Sequence, residues 1–100
     1  MIQDSHLLEK AGVFSIVLEC VETSLAKLVT QNLKVPTIGI GASKYCDGQI
    51  LVVDDLIGLN PMNYKFVKKY ANIKSEISKA VSNYSKEVRK KRFPNKKNSY

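Results

Sequence analysis

The spacing of apolar residues changes period along this chain, and each change predicts an element. Between Asp4 and Gly12, Leu7, Leu8 and Ala11 share one helical face. Asp4 or Ser5 stands ready to cap that helix, and Gly12 sits where a helix terminates. Residues 13–21 (VFSIVLECV) then form a nearly continuous apolar run rich in β-branched side chains, the pattern of a strand covered on both faces. Thr23 offers a side-chain oxygen to cap a second helix, in which Leu25, Leu28, Val29 and Leu33 recur at helical spacing. Residues 35–42 (VPTIGIGA) predict another strand, with Pro36 near its start, where a missing N–H is tolerable. Strand, helix and strand make a βαβ unit with parallel pairing.

The connection 43–49 is short for a parallel crossover, which usually takes about a dozen residues or more. Spacing alone therefore predicts a hairpin into the apolar strand 50–53, which ends at Asp54 and Asp55 before the breakers Gly58, Asn60 and Pro61. Phe66, Tyr70, Ile73, Ile77, Ala80, Val81, Tyr84 and Val88 keep a 3.6-residue period, so a long final helix is predicted over about 66–92, with a candidate break at Asn72. No internal repeat or low-complexity segment interrupts the pattern. Two or three strands buried on both faces, with helices only outside, would leave open sheet edges and apolar faces with nothing behind them. Something else is expected to complete the sheet: an upstream part of the same protein, a partner polypeptide or another copy.

Composition narrows this picture. With 100 residues and 44% of them hydrophobic, the chain suits one small core. No run approaches the roughly 18 apolar residues of a membrane span, and the first residues lack the order of a signal peptide, so a cytoplasmic protein is expected. Cys20 and Cys46 show no metal or redox spacing and are expected as reduced thiols. The net charge of +7 is concentrated in residues 86–100, which carry seven Lys or Arg against one Glu and leave +1 for everything before them. A basic end can bind phosphate backbones nonspecifically, but it has no interleaved aromatics and no recognition motif. A solvated helix end is the simpler account.

Few residues suggest chemistry by themselves. Glu19 interrupts an apolar strand; the residues alone leave it equally a reactive acid or a carboxylate satisfied by a nearby Lys or the backbone. Asp54 and Asp55 suggest a Mg2+ site, yet neighbours on a strand face opposite ways, which favours capping and loop hydrogen bonds. Gly39-Ile40-Gly41-Ala42 lacks the third glycine of a dinucleotide loop, and close backbone approach explains it better. His6 is expected at the surface, and the face bearing Tyr70 and Tyr84 in a core or subunit interface.

Several blocks together carry more. Leu8-Glu9-x-Ala11-Gly12, Ile16-Val17-Leu18-Glu19-Cys20-Val21, Leu25-Ala26, Val35-Pro36-Thr37-Ile38-Gly39-Ile40-Gly41-Ala42, Asp47-Gly48-Gln49-Ile50-Leu51-Val52 and Asp55-Leu56-Ile57-Gly58-Leu59 resemble, in order and spacing, the ketopantoate hydroxymethyltransferase family. The resemblance covers essentially the whole chain. Phe93-Pro94 and Ser99-Tyr100 echo the family's end, with Lys97-Asn98 in place of its usual Glu-His pair, and Asp54 replaces a common His.

The resemblance implies an α/β fold, the carboxyl-terminal portion of a (β/α)8 barrel: about three parallel strands with outer helices and a long final helix over residues 1–92, then a basic tail at 93–100. It makes residues 49–53 the closing parallel strand instead of a hairpin arm. A whole barrel needs roughly 250 residues, so the chain is expected to be a fragment, a split gene product or a wrongly started frame.

The implied reaction transfers a hydroxymethyl group from 5,10-methylenetetrahydrofolate to 3-methyl-2-oxobutanoate, giving 2-dehydropantoate for pantothenate synthesis. Glu19 matches the family's proton acceptor, and burial at the end of a barrel strand should make it a stronger base than an exposed Glu. Cys20, one residue on, should face the opposite side and pack against helices. Mg2+ would be held by residues outside this chain, which is therefore expected to be inactive without the missing amino-terminal barrel half. The family also implies a homodecamer. The alternative is a non-catalytic basic protein that binds nucleic acid or a partner protein.

Overall fold

A computed structural model describes all residues from Met1 to Tyr100. The elements run α1 (Ile2–Lys10), β1 (Ile16–Glu19), α2 (Thr23–Asn32), β2 (Thr37–Ile40), β3 (Gly48–Gln49), α3 (Val53–Leu56) and α4 (Ile73–Arg89), followed by a 3-10 turn at Lys96–Asn98. They divide into two compact units, one of residues 1–52 with 63–68, the other of 53–62 with 69–100.

The first unit contains an open sheet in the order β1-β2-β3, parallel throughout. Ile16 pairs with Thr37 and Glu19 with Ile40, while Ile38 pairs with Gly48 and Gly39 with Gln49. The hairpin expected from spacing is thus wrong. The parallel order implied by the resemblance holds, although the regular part of the last strand is Gly48–Gln49 and not 49–53, extended by an Ile50 N–H donated to the Gly39 carbonyl. A return this short works because β2 has only four residues, about 13 Å at ~3.3 Å each, while the seven residues 41–47 can span roughly 23 Å. No crossover helix is needed. The loop itself covers β2 and β3, burying Ser43 and Cys46, and Asp47 anchors its far end by accepting the Thr37 N–H at 2.8 Å.

One face of the sheet is packed. Ile16 and Leu18 meet Ala26 and Val29 of α2 together with Cys46, with Ile2, Leu25 and Val35 around them. Full burial of one aliphatic side chain such as Val29 contributes roughly 1.5–3 kcal/mol. The other face of β1 is bare: Val17 is 53% exposed and Glu19 is also exposed. The second cover expected for a strand of this pattern is not supplied within this chain, because both helices of this unit serve the Ile16 and Leu18 side.

Other local expectations are revised. α1 has no side-chain cap, since Ser5 turns inward and donates to the Ile2 carbonyl at 2.7 Å. Its inner side therefore carries Ile2 and Ser5, while Leu7 and Leu8 are exposed. Gly12 ends it as expected, at φ +93°. α2 is capped by Glu22, not Thr23, because the longer acid reaches back to the Ser24 and Leu25 N–H groups.

In the second unit α3 is one helical turn where a strand end was expected, so Asp54 and Asp55 are not strand neighbours. The predicted helix over 66–92 is shorter, because Asn72 is its cap and not a break inside it. Asn72 Oδ1 accepts the Ser75 N–H at 3.3 Å, and α4 ends at Arg89. No residue of α4 is buried; Ile77, Val81 and Tyr84 are exposed, and so is Tyr70. Within this chain that face is not core.

Candidate functional site

Parallel strands direct their carboxyl ends to one side of a sheet, and in α/β folds that side collects ligands. Glu19 is the last residue of β1. It alternates with Leu18 and so projects from the bare face beside Val17, level with Ile40 of the neighbouring strand. Its carboxylate belongs to none of the chain's three ion pairs and to no side-chain hydrogen bond. The expected burial is not seen, since the face that carries Glu19 has no second layer in this chain. It has no Lys or backbone partner either.

The chain turns sharply after Glu19. Cys20 takes φ +51°, its N–H still bonded to the Ile40 carbonyl at 2.9 Å, and its side chain is exposed. The expectation that Cys20 packs against helices is wrong, because the left-handed turn swings it out of the strand's alternation. Glu22 follows. Ser24 Oγ and the Ser24 and Leu25 N–H groups all donate to its carboxylate, which holds its pKa below the ordinary value. Glu22 is a committed anion at the start of α2.

Opposite this turn, the Gly39-Ile40-Gly41-Ala42 stretch owes its glycines to crowding. A Cβ on Gly39 would stand 3.0–3.1 Å from the Gln49 side chain and the Cys46 Sγ, and Gln49 Nε2 donates to the Ser43 carbonyl at 2.6 Å. Gly41 has φ +62°, and a Cβ there would lie 2.6 Å from the Cβ and Cγ of Phe66. The close approach expected of this segment is present, and it is made to side chains. Segment 63–68 thereby joins the β1–α2 turn and the loop after β2 in framing a cleft of about 970 Å³, whose lining includes Cys20, Glu22, Lys44, Lys65 and Phe66. Sequence reasoning missed Lys44, Lys65 and Phe66; the available signal was Gly41, whose missing side chain implied a neighbour pressed against it.

No three His, Cys, Asp or Glu side chains come together in a way that could hold a metal. Asp55 is buried and accepts from Asn60 Nδ2 at 2.7 Å, while Asp54 is exposed and its carbonyl takes the Leu59 and Asn60 N–H groups. These residues do not fit a divalent ion. His6 is half-exposed, with Nδ1 3.7 Å from Glu9 Oε2.

Three parallel strands in an open sheet, with helices packed on one face, define an α/β protein. Residues 1–96 match the family model described as ketopantoate hydroxymethyltransferase, and the chain belongs to that family. It is 61% identical over its whole length to the 3-methyl-2-oxobutanoate hydroxymethyltransferase of Pelagibacter ubique. Identity is 48% over the whole chain to the protein of that name from Clostridium botulinum, and 50% over 98% of the chain to that from Sulfolobus acidocaldarius. The chain spans 37–39% of the length of these relatives, matching only a carboxyl-terminal part of them. The alternative of an unrelated basic binding protein is not favoured, since these relatives are all named as transferases. No helix is long and apolar enough to cross a membrane.

Proposed function

We propose that this chain supplies the proton acceptor of a 3-methyl-2-oxobutanoate hydroxymethyltransferase, and that Glu19 is that acceptor. The observation that carries the reading is the unpartnered carboxylate of Glu19 at the carboxyl end of β1, on the sheet face that no helix covers. An acid held this way is free to take a proton, and a second layer over that face would remove water and strengthen it as a base. In the complete enzyme that layer would be the remaining strands of a (β/α)8 barrel, with residues 1–92 as its last part and 93–100 as a basic tail. Val17, exposed on the same face, would then line the barrel's interior.

In this reading Glu19 takes the proton from the carbon next to the keto group of 3-methyl-2-oxobutanoate. The C–H electron pair moves onto the carbonyl oxygen as an enolate, and that carbon then bonds to the one-carbon unit of 5,10-methylenetetrahydrofolate; water supplies the hydroxyl oxygen, both C–N bonds to that one-carbon unit break, and the folate nitrogens take up the substrate's proton and one from water, giving 2-dehydropantoate and tetrahydrofolate for pantothenate synthesis in the cytoplasm. Mg2+, with the side chains that grip the keto acid, belongs to segments outside this chain, and the working form is a homo-oligomer, a decamer by family analogy. The residues here do not fit the metal, so every step assigned to them is proton handling.

The test joins this chain to the remaining part of the Pelagibacter ubique relative and follows exchange of the substrate's C3 proton in deuterated water by NMR. The assembly should exchange it. Glu19→Gln should slow exchange by about 10²–10⁴-fold, and undiminished exchange in that variant would remove Glu19 from the role.

A further inference from the structure

The cleft beyond the strand ends holds positive charge that no carboxylate in the chain neutralises. Its lining includes two ammonium groups, Lys44 and Lys65, and one carboxylate, Glu22. Glu22 is occupied by the Ser24 and Leu25 N–H groups and by Ser24 Oγ, and neither lysine belongs to an ion pair. Lys27 adds to the same side: its Nζ lies 4.6 Å from the centre of the Tyr45 ring, with the Lys44 Nζ 5.4 Å from that centre. The walls are built and not incidental. Thr23 Oγ1 reaches the Ala42 carbonyl at 3.5 Å, joining the two loops, and Gly41 leaves room for nothing larger where Phe66 presses on it. Phe66 in turn stacks on Tyr64, with ring centres 5.7 Å apart and planes 19° apart. A cavity of about 970 Å³ is large enough for a small organic ligand.

We propose that this cleft is an anion subsite, which holds a carboxylate or phosphate group between Lys44 and Lys65 while Phe66 provides an apolar wall for the body that carries it. Two sources of such an anion share this chemistry. One is the glutamyl tail of the one-carbon donor, an assignment that rests on the transferase reading; the other is a free phosphate. Lysine suits either as a point charge on a flexible stem.

The ¹⁵N-labelled 100-residue chain is titrated with pteroyltriglutamate, with pteroic acid, which lacks the tail, and with inorganic phosphate, while the amide signals of Ser43, Lys44, Lys65 and Phe66 are followed. The triglutamate should shift these four and bind at least about threefold more tightly than pteroic acid, as expected for partly exposed ion pairs. Replacing both lysines (Lys44→Gln with Lys65→Gln) should weaken binding roughly tenfold, and the paired Lys→Arg changes should retain it. Saturation by phosphate that the triglutamate fails to displace would support the subsite and identify phosphate as its occupant. No shift at these amides with any of the three probes, or unchanged affinity in the double Gln variant, would overturn the proposal. These titrations do not involve proton transfer, so a failure of the proton-acceptor reading would be seen separately, in the exchange assay.

Discussion

Glu9 Oε1 accepts the backbone N–H groups of both Lys34 and Val35, at 2.6 and 3.0 Å, and so ties the end of α1 to the turn that leads into β2. The Lys34 N–H, then that of Val35, stabilises the charged carboxylate and holds its pKa below the ordinary 4.5. A carboxyl with a lowered folded-state pKa stabilises the fold fully above its unfolded pKa and loses that effect as pH falls through the folded value. Glu9→Ala should therefore lower the urea midpoint at neutral pH, and the gap from the parent should narrow as the solution is acidified below the ordinary 4.5 and through the lowered folded-state value.

Thr37 is fully buried, and its hydroxyl stands between Thr30 Oγ1 at 2.8 Å and the Asp47 N–H at 3.3 Å. Thr37→Val keeps the shape but strands the Asp47 N–H, for a loss of about 1–2 kcal/mol. Since Asp47 leads directly into β3, hydrogen exchange at the Ile50 amide, which bonds Gly39, should accelerate by a similar factor.

Gly41→Ala combines a left-handed backbone with a Cβ driven into Phe66. A loss of roughly 2–4 kcal/mol is expected from strain and overpacking together. Adding Phe66→Ala should restore part of it, and a double-mutant cycle in denaturant measures the coupling.

The two thiols differ sharply in access, with Cys20 exposed and Cys46 buried. A thiol-labelling reagent should modify Cys20 at once under native conditions and Cys46 only as the chain unfolds. Simultaneous modification of both would contradict the packing of the 41–47 loop.

Asn72→Ala removes the side chain that caps α4. Helix caps of this kind are worth about 1 kcal/mol, so helical circular dichroism should fall and the thermal midpoint drop, whereas Asn72→Asp should leave both nearly unchanged.

Much of this architecture could be read from residue pattern. The β1–α2–β2 unit and the position of Glu19 near a strand end follow from apolar periodicity and residue order, whereas the parallel pairing of the last strand was implied by the family resemblance alone. What escaped was set by contacts distant in sequence or by the reach of particular side chains. The hairpin expectation relied on a length rule that assumes a helix in the crossover, whereas a four-residue strand needs no such length. The buried side of α1 could not be read from Leu7 and Leu8, because α1 docks through Ile2 and Ser5. Glu22 displaced Thr23 as cap because reach, not residue type, decided which oxygen met the free N–H groups. Phe66 was expected at the start of the final helix, which Asn72 caps six residues later, and only the bare Gly41 hinted at where Phe66 lies.

The loop that stands in for a crossover helix does two jobs with one set of atoms. Ser43 and Gln49 lock the layer behind β2, and the same stretch, through Ala42 and Lys44, borders the opening at the strand ends. A barrel unit with a helix in this place keeps ligand recognition and sheet integrity in separate layers, free to drift independently. Here any change that retunes the opening should also register as a change in melting behaviour, so the recognition properties of this stretch and its tolerance to heat must evolve together.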